Sequence, residues 1–166
     1  MRAIKMLGTA LLFVALFTLL PGNSSGQSAP QVGVAKRFVG TWRLISITGG
    51  TPETPNYRGA HPTGLIYYDS LGNMAVQIMP DRPRGKYAST NPTADEALAA
   101  ILGFTAYFGT YTVDEKARTV THHRKGNINP GAIDDAVRHY EFVAGDRLVL
   151  TTPDNPPSHL TWERMK

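Results

Sequence analysis

The chain has 166 residues, 17 of them Lys or Arg and 13 Asp or Glu, which gives a formal net charge of +4, and it contains no cysteine. The lack of cysteine excludes a disulfide framework and a thiolate metal site. The basic residues are dispersed and form no stripe that would follow a phosphate backbone, which argues against nucleic-acid binding.

The first 26 residues have the three-part pattern of a secretory signal peptide. Arg2 and Lys5 precede an uncharged apolar stretch, Leu7 to Leu20, which a Pro-Gly pair ends. This stretch is shorter than the about 20 residues of a membrane-spanning helix, although an uncleaved membrane anchor is the alternative. We therefore predict cleavage after Gly26, export to the periplasm or outside the cell, and no membrane span in the mature protein.

Cleavage would remove two basic residues and no acidic ones, so the 17 basic residues would fall to 15 against 13 acidic residues. The mature chain has a single-domain size. We predict a signal peptide over residues 1–26, a flexible lead-in over residues 27–37 and one domain over residues 38–166. The segment from Val32 to Phe38, which leads from this region into the domain, can form one helical turn.

Eight short segments of this domain are rich in β-branched and aromatic residues and are bounded by turn formers, which is typical of strands. Connections at 69–73, 114–118 and 144–146 are too short for anything but antiparallel neighbours. The predicted strands are Val39–Thr48, Thr63–Asp69, Met74–Met79, Thr105–Val113, Thr119–Lys125, Ala136–Val143, Arg147–Thr152 and Leu160–Met165. This order predicts an all-β fold, an up-and-down antiparallel β-barrel whose closure leaves no exposed sheet edge.

Two connections are longer, and one of them contains a helix. Residues 49–62 are rich in proline and glycine, which predicts a loop. Residues 80–92 are also rich in turn formers and lead into a helical segment from Thr93 to Gly103, in which Thr93 and Glu96 match a capping box. This inserted short helix can cover an open end of the barrel as a lid or fill it as a plug.

Motifs at both ends of the domain and along its strands occur in a consistent order. The segment 38–44 has a G-x-W pattern in Gly40 and Trp42, and Trp162-Glu163-Arg164 ends the last strand; between them lie the segments Gly64–Asp69, Met74–Ile78, Tyr107–Val113, Val120–His123 and Arg138–Phe142. Together these motifs resemble the lipocalin-like domain family of bacteria and fungi, over residues 38–165. The resemblance implies a calycin-type barrel with a central cavity and says little about the ligand.

The resemblance also implies a structural role for the two end motifs, Gly40 with Trp42 and Trp162-Glu163-Arg164. In lipocalins the opening tryptophan packs at the closed end of the barrel beneath a late arginine, and Trp42 and Arg164 match these positions. A guanidinium group can stack on an indole face while it donates hydrogen bonds to strand-end carbonyls. We therefore assign Gly40, Trp42, Trp162 and Arg164 to barrel closure rather than to binding or catalysis.

Alternation along two strands predicts polar groups inside the barrel. Arg138 shares a face with Tyr140 and Phe142, so it is expected to point inward, where it would join an internal polar network or anchor an anionic ligand. His122 follows Val120 on the inner face of its strand. It would be a satisfied interior polar residue, a hydrogen-bond donor, a general base or a haem ligand. Its neighbour His123 must face the other way, so the two cannot share one metal.

Further candidates complete the predicted ligand-binding set. Tyr67, Tyr111 and Tyr140 would form an aromatic wall with phenolic tips, or simply part of the core. Gln77 is a further polar candidate, although its apolar neighbours compete for the inner face. No Gly-rich phosphate loop, zinc-binding helix motif or nucleophile elbow occurs in the sequence, so we predict no cofactor, no metal site and no catalytic residue.

The leading functional hypothesis is an exported protein that binds a small apolar or amphipathic molecule, with an anionic group as one option, inside the barrel. The first alternative is a barrel enzyme of the isomerase, cyclase or hydratase type that uses His122 as acid or base. The second is an interaction module that presents its long loops on a filled barrel. The sequence predicts binding rather than catalysis and leaves the oligomeric state open.

Overall fold

A computed structural model describes residues 33–51, 58–144 and 146–166. In this part of the chain eight strands pair in sequential order and form a closed antiparallel barrel. The strands are β1 (Gly40–Gly49), β2 (Thr63–Tyr68), β3 (Asn73–Met79), β4 (Thr105–Asp114), β5 (Thr119–Asn127), β6 (Ala136–Val143), β7 (Arg147–Thr151) and β8 (Ser158–Arg164). The predicted fold class is therefore confirmed. The predicted signal peptide, residues 1–26, lies outside the described residues.

The connections divide the barrel into two ends. Those between β2 and β3, β4 and β5, and β6 and β7 are short and lie at the end where β1 begins. The strand ends that the longer connections join lie at the opposite end. These connections span residues 50–62, 80–104, 128–135 and 152–157. We call the two ends the closed end and the open end.

The barrel closes where its first and last strands pair. Trp42 is opposite Arg164 and Leu44 is opposite Trp162, and a shift in register follows Leu44. Period-two alternation places Trp42 and Leu44 inside, as it does Met74, Val76 and Ile78 on β3, so that every second residue enters one core.

A short helix, α1 (Ala35–Phe38), inserts an aromatic ring into the closed end. Phe38 is fully buried, and its ring centroid lies 5.4 Å from that of Tyr68, 5.1 Å from that of Tyr140 and 5.0 Å from that of Phe142. Edge-on aromatic packing of this kind adds to the stabilisation from burial. The closed end is therefore filled by side chains.

The contacts expected between the two end motifs of the domain are present. The Trp42 indole Nε1 donates to the Phe38 carbonyl over 2.7 Å, and the Arg164 guanidinium carbon lies 4.1 Å from the indole centroid. The Arg164 guanidinium also donates to the carbonyls of Val39 and Arg37, over 2.5 and 2.6 Å. Gly40 has a φ of 133°, and a Cβ there would lie 2.8 Å from Arg164 Nη1. Glycine therefore lets the arginine pass over the strand.

The second helix, α2 (Ala94–Ile101), lies in the connection between β3 and β4. Its capping box is present, because the Thr93 hydroxyl accepts from Glu96 N and a Glu96 carboxylate oxygen accepts from Thr93 N over 2.7 Å. None of the residues of α2 is buried, and Leu98 is 56% exposed. The helix therefore does not plug the barrel, which corrects that alternative, while its role as a lid stays a prediction.

Candidate functional site

The open end contains a cavity of about 180 Å³ inside the barrel. Much of its wall is apolar: Ile47, Val76, Ile78, Leu150, Leu160 and Trp162 line it. The polar lining consists of Arg58, Thr105, Tyr107, His122, Arg138, Thr152, Asp154 and Ser158. An apolar wall with a small number of convergent polar groups is the usual composition of a small-molecule site.

A shallower depression of about 250 Å³ adjoins this cavity at the rim of the barrel. Ile47, Arg58, Asp154 and Ser158 line both spaces. Other parts of its lining come from the connections that leave β1 and β7. The interior cavity therefore continues into the depression at the open end.

Two guanidinium groups reach the cavity from different elements. Arg58 precedes β2 and donates to the Thr105 hydroxyl over 2.6 Å, while its Nε has no hydrogen-bond partner among the described residues. Arg138 lies on β6, is half-buried, and donates to the carbonyl of Val137 over 2.7 Å. Burial lowers the pKa of Arg58, Tyr107 opposes this effect, and the nearby charge of Arg138 lowers the pKa further.

These two positive groups have no carboxylate partner in the described part of the chain. The ion pairs found there join Arg43 to Glu163 and His123 to Asp135, both on the outside of the barrel. Asp154 lines the cavity but is exposed at the rim. A partly buried cation is costly unless an opposite charge or hydrogen-bond acceptors compensate it. The described cavity therefore has a positive electrostatic character.

His122 lies at the base of the cavity between two phenols. It is 1% exposed, its Nε2 lies 2.8 Å from the Tyr68 hydroxyl, and its Nδ1 lies 2.8 Å from the Tyr107 hydroxyl. Burial, and then the charge of Arg138, lowers the pKa of His122 to about 3. Burial also raises the pKa of Tyr68 and of Tyr107. At neutral pH the three groups therefore form an uncharged hydrogen-bonded chain.

The structure places His122 and Arg138, two of the six predicted ligand-binding residues, at the cavity. Tyr111 and Tyr140 are also buried, but they contact Phe38 in the closed end, and the Tyr111 hydroxyl donates to the Asp69 carbonyl over 2.9 Å. They belong to the aromatic core, which is the alternative stated above for these tyrosines.

Tyr67 and Gln77 face outward, so their expected place in the cavity is corrected. Tyr67 is 46% exposed, and Gln77 is exposed on β3. Their neighbours Tyr68 and Val76 take the inner face instead, because adjacent residues of a strand must point to opposite sides. Trp162 is fully buried and lines the cavity. It therefore lies nearer to the open end than the closed-end position expected for it.

Three residues of the site were missed by the sequence analysis. Tyr107 lies four residues before Tyr111 on β4, so period-two alternation along this strand would have placed it on the same face as Tyr111. Tyr68 alternates with the inward Ile66 and would have been found in the same way. Arg58 lies in a long connection without periodicity, so nothing in the pattern indicated it.

Two kinds of feature are absent from the described residues. No group of three or more His, Asp or Glu side chains there is arranged to hold a metal ion. None of the helices there has the length and apolar character that crossing a bilayer requires.

Comparison with known proteins gives one extensive match. The sequence profile of the lipocalin-like domain family matches residues 39–165. No curated protein sequence matches the chain. Among solved structures, a crystal structure of a mutant of the fluorescent protein UnaG is similar, with 16% identity over 78% of this chain and 96% of that chain and a TM-score of 0.39.

Proposed function

This chain belongs to the lipocalin-like domain family, and from that premise we propose that it binds a small amphipathic molecule with an anionic group in the cavity at the open end. The observation that supports this proposal is the composition of the cavity. Arg58 and Arg138 contribute positive charge to a wall that is otherwise largely apolar.

The charge of the cavity favours an anion. Among the described residues neither guanidinium group pairs with a carboxylate, and Arg138 lowers the pKa of both Arg58 and His122. An anion between the two arginines would relieve their mutual repulsion and would accept charge-assisted hydrogen bonds. A carboxylate suits this geometry because a guanidinium group can bind it through two parallel hydrogen bonds.

The volume of the cavity limits the size of the ligand. A cavity of about 150 Å³ lined by apolar side chains is large enough for benzene, and this one has about 180 Å³. Benzoate or a short-chain fatty acid therefore fits, with its apolar part against residues such as Val76 and Leu150. A longer chain would extend into the adjoining depression at the rim.

We also propose that the protein is exported before it binds its ligand. The basic start, the apolar stretch and the small residues before position 27 support a cleaved signal peptide. Removal of this segment would leave the barrel as a mature protein of the periplasm or the extracellular space.

The alternative of a barrel enzyme that uses His122 directly as acid or base has less support. His122 is expected to be a weak base because its pKa falls to about 3, and both of its ring nitrogens are engaged by phenols. A proton would reach a cavity ligand through Tyr107 rather than directly from the histidine. Binding therefore remains the function that the geometry supports best.

The proposal is tested by calorimetric titration of the mature protein with benzoate, hexanoate and the uncharged analogue benzyl alcohol. We expect benzoate to bind at least about tenfold more tightly than benzyl alcohol, because the alcohol lacks the charge. Arg138→Met keeps the length of the side chain and removes its charge, so this variant should lose most of that preference.

Two controls separate the cavity from the surface. Arg147→Met removes an exposed arginine at the closed end of β7 and should leave benzoate binding unchanged. Leu150→Trp fills the cavity from a position that is 3% exposed and should abolish binding of all three compounds. The proposal fails if none of the acids binds, or if Arg138→Met binds benzoate as wild type does.

A further inference from the structure

The chain of three side chains, Tyr68, His122 and Tyr107, has a direction that its surroundings determine. Each phenol lies 2.8 Å from a different nitrogen of His122. A neutral imidazole has one N–H donor and one acceptor nitrogen, so one phenol must donate to the ring and the other must accept from it. The phenol that accepts keeps its own hydrogen free for another partner.

Tyr68 is poorly placed to be the accepting phenol. It is fully buried, and its ring packs against Phe38 and Tyr111 with centroids 5.4 and 4.8 Å away. Its hydroxyl contacts His122 and has no second hydrogen-bond partner among the described residues. If the ring donated to Tyr68, the phenolic hydrogen of Tyr68 would lie in the aromatic core without an acceptor, which is costly.

Tyr107 is well placed to accept. It lines the cavity, and its cross-strand partner on β3 is the inward-facing Val76. Its hydroxyl hydrogen can therefore be directed toward a ligand or water in the cavity. The positive charges of Arg138, Arg124 and Arg58 all act on its phenol. The difference in burial between the two phenols should favour the tautomer of His122 with its proton on Nδ1 by about tenfold or more.

We propose that Tyr107 determines ligand specificity: its oxygen accepts from the Nδ1–H of His122, and its own hydrogen is donated to an acceptor atom of the ligand. Tyr68 completes the arrangement by donating to Nε2, which fixes the tautomer of the histidine. His122 and Tyr68 are then positioning residues, and Tyr107 is the group that touches the ligand. This inference rests on the proposed function for the identity of the ligand, whereas the tautomer belongs to the protein alone.

The arrangement places three donor groups of two kinds around one small space. The guanidinium groups of Arg58 and Arg138 supply charge, and Tyr107 supplies a neutral donor whose orientation is set before the ligand arrives. A donor fixed in this way loses little conformational entropy on binding. The expected ligand class is therefore a small carboxylate, one oxygen of which meets the arginines while the other meets the phenol.

The first experiment determines the tautomer without any ligand. Protein labelled with 15N at histidine is measured at pH 7.5 by long-range proton–nitrogen correlation, which distinguishes a protonated ring nitrogen from an unprotonated one. The His122→Gln variant assigns the signals by their loss. A proton on Nδ1 supports the inference, and a proton on Nε2 overturns it whatever the protein binds.

The second experiment measures binding of benzoate and of toluene, which has a similar ring and no acceptor. Tyr107→Phe should weaken benzoate binding about tenfold and leave toluene binding unchanged. Tyr111→Phe removes a phenolic hydroxyl that bonds Asp69 in the closed end and should change neither affinity. Equal weakening of both ligands in Tyr107→Phe, or no weakening, would overturn the inference.

The outcomes separate this inference from the proposed function. If wild type binds no benzoate, the proposed function fails, and the tautomer measurement still decides the direction of the hydrogen-bonded chain. If wild type binds benzoate and Tyr107→Phe binds it equally well, the cavity is an anion site and Tyr107 is not its specificity residue.

Discussion

The burial of His122 should make the stability of this protein sensitive to mildly acidic pH. Its pKa falls from the ordinary value of 6.5 to about 3 in the folded protein, first because of burial and then because of Arg138. Between these two pH values the unfolded chain binds a proton that the folded protein does not bind. Stability therefore falls as the pH is lowered through this window, and the effect disappears above about pH 6.5.

The size of the effect follows from the same two values. Each unit of pKa difference corresponds to about 1.4 kcal/mol, so His122 should cost about 2 kcal/mol at pH 5 and about 4 kcal/mol at pH 3. The interval from pH 7.5 to pH 5 is the most informative, because most carboxylates remain ionised there and histidines titrate. A loss of about 2 kcal/mol would lower the urea midpoint by about 1 M for a domain of this size.

The assay is urea denaturation at pH 7.5 and at pH 5, followed by tryptophan fluorescence. His122→Gln should have a lower free energy of unfolding at pH 7.5, because two hydrogen bonds are lost or weakened, but a much smaller dependence on pH. His139→Gln, at an exposed position on β6, should retain the wild-type dependence. If wild type lost less than about 0.5 kcal/mol, or if His122→Gln lost as much as wild type, the account of His122 would be refuted.

Other predictions concern the closed end, a strand contact and the leader. Trp42→Ala should lower the free energy of unfolding by about 3–5 kcal/mol, measured by denaturation, and an unchanged melting temperature would contradict the closure role. Gly109→Ala should cost about 1–3 kcal/mol, because its Cβ would clash with the His123 carbonyl oxygen, which belongs to the paired strand β5 and cannot move away. Gly126→Ala is the matched control and should cost less, since its Cβ would meet the exposed ring of Phe108, which can turn aside. Expression of the full chain in a secreting bacterial host should give a mature protein that begins at Gln27, as read by mass spectrometry, and an intact N-terminus would count against export.

The fold could be predicted from the sequence because local signals agreed with one another. Turn formers between short alternating segments required antiparallel neighbours, and eight such segments in a row are satisfied by a closed barrel. The capping box at Thr93 is equally local and was also confirmed. Patterns of this kind depend on neighbouring residues in the chain, so a single sequence contains them.

The site was harder to predict, because it depends on the position of a residue along the barrel axis as well as on the face of the strand that it occupies. Alternation correctly placed Tyr140 and His122 inside, but it could not tell the filled closed end from the hollow open end. That difference comes from Phe38, a residue of α1 whose ring occupies the closed end. Arg58 was beyond sequence reasoning, because a loop residue reaches the cavity only through the path of its connection.

The seam between β1 and β8 is formed by the two ends of the domain. Arg164 bonds the carbonyls of Val39 and Arg37 across 125 and 127 residues of chain. Until the last strand is available, β1 and β7 each present an unpaired edge, and such edges are templates for aggregation. Contacts of such long range also make folding slow. The barrel therefore keeps two unpaired edges until β8 has been added, and the loss of β8 would leave the barrel open rather than merely shortened.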